Sequence, residues 1–233
     1  MRLTRRLLIT AAIGGSLFLG ANVAVERVAE GRIAAQAQKS FGTAEPPIVS
    51  LGGFPLIVNI LQGTIPSAFL EGRDLTVQDL RVAVLRIELE GIKASLSDVT
   101  AGKPIGVQRG LAQAEVTSEA VTAFVRSRDY KVTVVVLPGT MRVTGPVRGA
   151  TGVAEGVPKL TGRLLRFVPD TVAVNGKSLS GVALTDAREA LTFQVDLPLL
   201  PGGARITSVD LRKDRVVLIA TMRNATLDLS GSS

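Results

Sequence analysis

The pattern of hydrophobic and polar positions along this chain changes twice. It opens with an apolar run from Leu7 to Val25, uninterrupted by charge and preceded by Arg2, Arg5 and Arg6. A membrane-spanning helix needs about 20 apolar residues, and the core of a secretory signal about 7–15. The run suits either, so residues 1–25 are expected to be a signal or a transmembrane anchor. Thr4-Arg5-Arg6-Leu7-Leu8 also carries a faint twin-arginine pattern. Positive-inside orientation keeps the arginines in the cytoplasm and puts the body outside.

The next pattern has a period near four. Val25, Ala29, Ile33, Ala37 and Phe41 form one helical stripe, and Gly42 and Pro46-Pro47 end it. This predicts a long N-terminal helix whose stripe faces a core. From Arg73 the period falls to two. Leu85-Arg86-Ile87-Glu88-Leu89-Glu90 alternates strictly, as does a strand with one dry and one wet face. Further strands are predicted at 131–137, 140–144, 160–167, 171–174, 191–197, 204–211, 215–221 and 225–229. Pro138-Gly139, Gly145-Pro146, Asn175-Gly176 and Pro201-Gly202-Gly203 read as turns, with Asn175-Gly176 the strongest hairpin signal. A second helix is predicted over Ser118–Arg128, capped by Thr117 or Ser118.

A helix followed by many short strands at meander-like spacing is an α+β pattern with a mostly antiparallel sheet. Such a sheet, apolar on one face, can curl around the long helix and leave a greasy groove where it does not close. The predicted division is residues 1–25 as the targeting segment, 26–229 as one domain and 230–233 as a tail.

Composition narrows the chemistry. The chain has no Cys and no His, which removes thiolate nucleophiles, the commonest general base and the commonest metal ligand. Aromatics make up only 3% of residues, too few to stack bases, and the body carries no basic block, so no nucleic-acid partner is expected. Three of the seven net positive charges precede the apolar run. The paired carboxylates Asp74 and Asp79, Glu88 and Glu90, and Asp186 and Glu189 read as solvated charges. Of the scattered arginines (Arg73, Arg81, Arg142, Arg148, Arg163 and Arg166), one or two could grip a lipid phosphate, and the sequence does not pick which. No catalytic residue, metal site or cofactor is expected.

The sharpest candidate is the apolar segment Phe54–Pro66. Leu56, Ile57, Ile60 and Leu61 fit one face of a short helix, with Pro55 in its first turn and Gly63 after it. Such a helix is either a lid over an acyl-chain groove or an ordinary core helix. A second apolar loop, Leu197-Pro198-Leu199-Leu200-Pro201, has more leucine than a solvated turn needs. The candidate lipid-contacting set is therefore Phe54, Leu56, Ile57, Ile60, Leu61, Leu199 and Leu200.

Gly53-Phe54-Pro55, the apolar stretch Leu56–Leu61, Gly63-Thr64-Ile65-Pro66 and the strand stretch Leu85–Ile92 occur in that order. So do the helix at Ser118, the segment Leu164–Asp170, Leu197-Pro198-Leu199 and Arg205-Ile206-Thr207-Ser208-Val209. In this order the chain resembles the LmeA-like phospholipid-binding family of actinobacterial cell envelopes. The resemblance implies a curved sheet wrapped on a long helix, as in tubular lipid-binding proteins. It implies a protein on the periplasmic side of the plasma membrane that binds phospholipids, phosphoinositides included, and a non-enzymatic lipid binder is the expectation. It further implies a supporting role in elongating the mannan of lipoglycans. The alternative is an envelope scaffold whose apolar helix docks a membrane enzyme. No protein partner is identified by either.

Overall fold

The computed structural model describes residues 26–35, 38, 45–77, 79–95, 97, 98, 101, 103–197 and 199–227. The apolar run at 7–25 and the tail at 230–233 lie outside these residues. Among the described residues, no helix is long and apolar enough to cross a membrane.

The largest sheet draws its strands from both ends of the chain. They are β1 (Ile48–Gly52), β2 (Thr64–Val77), β3 (Leu80–Lys93), β4 (Ile105–Thr117), β13 (Arg205–Arg212) and β14 (Arg215–Leu227), in the order β1-β2-β3-β4-β14-β13. A second sheet has the order β11-β10-β7-β6-β5. Its members are β5 (Thr133–Leu137), β6 (Thr140–Val147), β7 (Ala150–Gly156), β10 (Thr171–Val174) and β11 (Lys177–Ser178). A third, β12-β9-β8, comprises β8 (Lys159–Thr161), β9 (Leu164–Phe167) and β12 (Phe193–Asp196). Every described pairing is antiparallel.

The expected long N-terminal helix is not what organises the fold. The described helix, α1, is short and covers residues 26–35. Of the stripe, Ala29 is fully buried and Ile33 packs beside it, both in the smaller of two cores. Ala37 and Phe41 lie outside the described residues. The physical reason is that the sheets cover one another. Leu75, Leu80, Val82 and Val116 at one end of the long sheet pack against Val134, Val136, Met141 and Val143 of the second sheet. Leu165, Phe167, Phe193 and Val195 of the third sheet complete this large core, with the Phe167 and Phe193 rings stacked at 5.3 Å.

Two helices seal that core. α3 (Ser118–Arg126) begins where Thr117 Oγ1 accepts a hydrogen bond from Ala120 N, with Glu119 in the first turn and Arg126 in the last. This is the predicted cap, and both charges oppose the helix dipole. Its Val121, Phe124 and Val125 are buried. α4 (Gly181–Leu191) contributes Ala187 and Leu191.

The predicted turns mostly hold. Asn175 and Gly176 take φ of 50° and 75° and link β10 to β11 across the Val174–Lys177 pair, the mirror-image turn that two-residue hairpins need. Gly145-Pro146 instead lies inside β6. Proline is tolerated there because the β5–β6 pairing ends at Thr133 and Thr144, so its missing N–H breaks no rung with β5. The stretch 160–167 is two strands, folded back at Gly162 (φ 62°).

Candidate functional site

Register places the inner face of the long sheet residue by residue, since partners directly opposite share a face. One row runs Gly72–Leu85–Ala114–Leu218, and its leucines and Ala114 belong to or pack on the large core. Another runs Leu51–Ala68–Leu89–Gly110–Met222, and its side chains belong to or pack on the small core. Four residues separate Leu85 from Leu89, so the rows stand about 14 Å apart along the strands.

Between them lies a third row, Leu70–Ile87–Ala112–Ala220, crossing β2, β3, β4 and β14. Among the described residues, none of these four side chains is part of either core. Leu70, Ile87 and Ala112 are half-buried, and Ala220, at the β14 side, is buried. The sheet therefore presents an apolar, incompletely covered band between two well-packed ends. Val49 and Ile206 flank it at the two sheet edges, packed on the small and large cores respectively.

The outer face opposite this band is a charge lattice. Glu115 accepts from Arg86 Nη1 at 2.8 Å and Arg215 Nη1 at 2.5 Å. Glu71 accepts from Arg86 Nε and Arg73 Nη2, each at 3.0 Å. The Arg86 guanidinium, joined by Arg215, holds the buried Glu115 carboxyl below its ordinary range. Arg73 and then Arg86 do the same for Glu71. These charges brace four adjacent strands, and all lie on the side away from the band.

The two apolar segments singled out in the sequence lie toward the same end of the long sheet, at β2 and at β14. α2 (Leu56–Leu61) leads directly into Thr64, whose partner Lys93 lies opposite Gly106, itself opposite Thr226. The loop 199–203 packs onto that same end. A Cβ on Gly202 would stand 2.6 Å from Leu227 Cδ2 and 3.5 Å from Ala225 Cβ.

Within α2 the expected face splits. Leu56 is 2% exposed and anchors the helix in the small core, with Ile60 packed on it. Leu61 is 83% exposed and Phe54 67%. Val58, absent from the expected face, is exposed as well. Ile57 belongs to α2, and its side chain lies outside the described residues. Leu199 is 65% exposed and Leu200 half-buried. The segment is thus neither a plain core helix nor a free lid. Half of it is root and half is an apolar tip, formed by Phe54, Val58 and Leu61.

Sequence reasoning missed the band itself. Ile87 was legible as a dry-face residue, but β4 was not predicted at all. Its inward residues are Gly110, Ala112 and Ala114, and small side chains carry little hydropathy contrast.

A family model for LmeA-like phospholipid-binding proteins matches residues 20–221. The chain belongs to the LmeA-like phospholipid-binding family. That match runs from α1 to within β14, so the apolar tip and the band all fall inside it. No curated protein and no solved structure matches the chain. Membership in the LmeA-like family supports a lipid as the ligand, and an apolar band is the surface that a lipid chain requires.

Proposed function

We propose that this LmeA-like protein is a non-enzymatic phospholipid binder that seats an acyl chain along the Leu70–Ile87–Ala112–Ala220 band. The observation that carries the reading is that this band is apolar and outside both packed clusters, with Leu70, Ile87 and Ala112 half-buried and only Ala220 fully covered. Each methylene removed from water there contributes about 0.8 kcal/mol, so part of one chain suffices for several kcal/mol without a charge contact. The small residues on β4 leave the middle of the band lower than its Leu70 and Ile87 side.

In this reading the tip formed by Phe54, Val58 and Leu61 enters the membrane surface, with Leu199 at the same end of the sheet. Exposed aromatic and aliphatic side chains at one end of a fold favour the interfacial region of a bilayer. Lys93 is exposed at that same end, where an anionic headgroup could meet it. The protein then works at the periplasmic side of the plasma membrane, tethered or released according to the fate of residues 1–25. Its phospholipid includes phosphoinositides among the candidates, and its service is to the elongation of lipoglycan mannan. Absence of enzymatic chemistry is part of the proposal. The chain has no His or Cys, Glu90 is engaged by Arg109 at 2.8 Å, and Asp186 is paired with Arg148.

Native mass spectrometry of the full chain, released from an uncharged detergent, tests the reading. One phospholipid mass per chain is expected. An apo mass that persists after candidate phospholipids are added would overturn it and favour a scaffold that uses the same tip to dock a membrane enzyme.

A further inference from the structure

A second concavity lies away from the band. Val157, Lys159, Arg166, Val168, Pro169, Asp170 and Arg188 line a depression of about 350 Å³ beside the β8–β9 hairpin. Three of its lining residues are cationic and one is acidic.

Its construction is unusual for a surface that binds nothing. Lys159 and Arg166 stand directly opposite each other on β8 and β9, and like charges at opposed positions destabilise a strand pair. Among the described residues neither has an ion-pair partner. The neighbour of Arg166 on β12 is the neutral Gln194. Arg188 reaches in from α4. Its Nη2 donates to the Asp170 carbonyl oxygen at 2.7 Å, which fixes the side chain. Its Nε is buried with no acceptor in reach. Leaving a charged donor buried and unmatched is costly, and negative charge brought into the depression that Arg188 lines would offset part of that cost.

The walls restrict which anion. Val157 and Val168 are exposed large apolar residues at the depression, so the ligand has a carbon portion beside its charge. The backbone of Val168–Asp170 is held in place by β7. A Cβ on Gly156 would stand 2.9 Å from Val168 O and 3.1 Å from Asp170 N, an approach that only glycine permits.

We propose that this depression is a phosphate-ester site in which Lys159, Arg166 and Arg188 bind the phosphate group. Guanidinium groups match phosphate oxygens with paired, charge-assisted hydrogen bonds, and the lysine adds a point charge. The ester is either the headgroup of a lipid presented at a bilayer or a soluble phosphate ester. The site does not depend on the acyl-chain reading of the band.

The test uses the full chain in an uncharged detergent, with glycerol 1-phosphate titrated calorimetrically. Flotation is measured in parallel, with vesicles of phosphatidylcholine alone or of four parts phosphatidylcholine to one of phosphatidic acid. At least one probe is expected to bind, and Lys159→Gln and Arg166→Gln are each expected to weaken that binding about tenfold or more. Both residues are exposed, so the folded state should survive even where Arg188→Gln fails to fold. Loss of phosphatidic-acid-dependent flotation in the variants identifies a lipid headgroup. Loss confined to glycerol 1-phosphate identifies a soluble ester. No binding of either probe, or binding unchanged in both variants, overturns the site. Phospholipid retained at wild-type level in native mass spectra of the same variants keeps that result separate from the fate of the band.

Discussion

Leu70 stands directly opposite Ile87 on the inner face of the long sheet, and neither side chain joins the packed clusters on either side. If an acyl chain covers this pair, charge or bulk placed in their row must displace it. Ile87→Asp is expected to strip most of the bound phospholipid by putting a carboxylate against methylenes. Ala112→Leu fills the same row without charge and should lower lipid content while the fold remains intact. Native mass spectra of both variants check this. Full lipid occupancy in both would remove the row as the chain's seat.

The split within α2 gives a paired expectation. Leu56→Ala removes a buried side chain from the small core and should cost about 2–5 kcal/mol. Leu61→Ser alters a side chain that is 83% exposed and should change stability by less than about 0.5 kcal/mol. It should nonetheless weaken flotation with phospholipid vesicles. Urea unfolding and flotation of the two proteins separate root from tip, and undiminished flotation of Leu61→Ser would discard the tip.

The outer lattice sets an acid limit on stability. Glu115 has its carboxyl pKa lowered below the ordinary 4.5, first by its hydrogen bond to Arg86 and then by Arg215. A carboxylate with a depressed folded pKa contributes stability that is fully present above the unfolded value. That stability is lost as pH falls through the folded one. Unfolding midpoints should therefore be flat near neutral pH and fall below about pH 4.5. Glu115→Gln should flatten that fall and cost about 1–2 kcal/mol at neutral pH, by leaving Arg215 without its carboxylate and Arg86 with Glu71 alone. A melting curve that keeps the same acid slope in Glu115→Gln would assign the slope to other carboxylates.

Large alternating side chains made most of the fold readable. The run Leu85–Glu90 announced β3 and its dry face, and Thr117 announced the start of α3. What escaped is what alternation does not encode. Gly110, Ala112 and Ala114 on β4 gave no contrast, yet Gly110 is what lets Met222 and Leu89 close over the sheet. A Cβ there would stand 2.7 Å from Met222 Cγ. The four-residue stripe suggested a helix at the centre of the fold. Periodicity reports a face but not what covers it, and here two further sheets do most of the covering. The basic depression was equally hidden, because Lys159, Arg166 and Arg188 converge through a hairpin and a helix that was not predicted.

Two glycines should respond to alanine in opposite directions. Gly31 sits in α1, and a methyl group added there would meet nothing within 4 Å. Alanine replaces the poorest ordinary helix residue with the best, and should stabilise by up to about 1 kcal/mol. Gly156 ends β7 against fixed backbone, where an added Cβ would have Val168 O, Asp170 N and Pro169 Cα all within 3.3 Å. None of these is a side chain that can swing away, so the strand end must move. Gly156→Ala should cost about 1–3 kcal/mol and push the Val168–Asp170 wall out of place. Urea midpoints report the first effect and glycerol 1-phosphate titration the second. Equal midpoints for Gly31→Ala and Gly156→Ala would show that β7 tolerates the displacement, and that the depression's wall is not set by this contact.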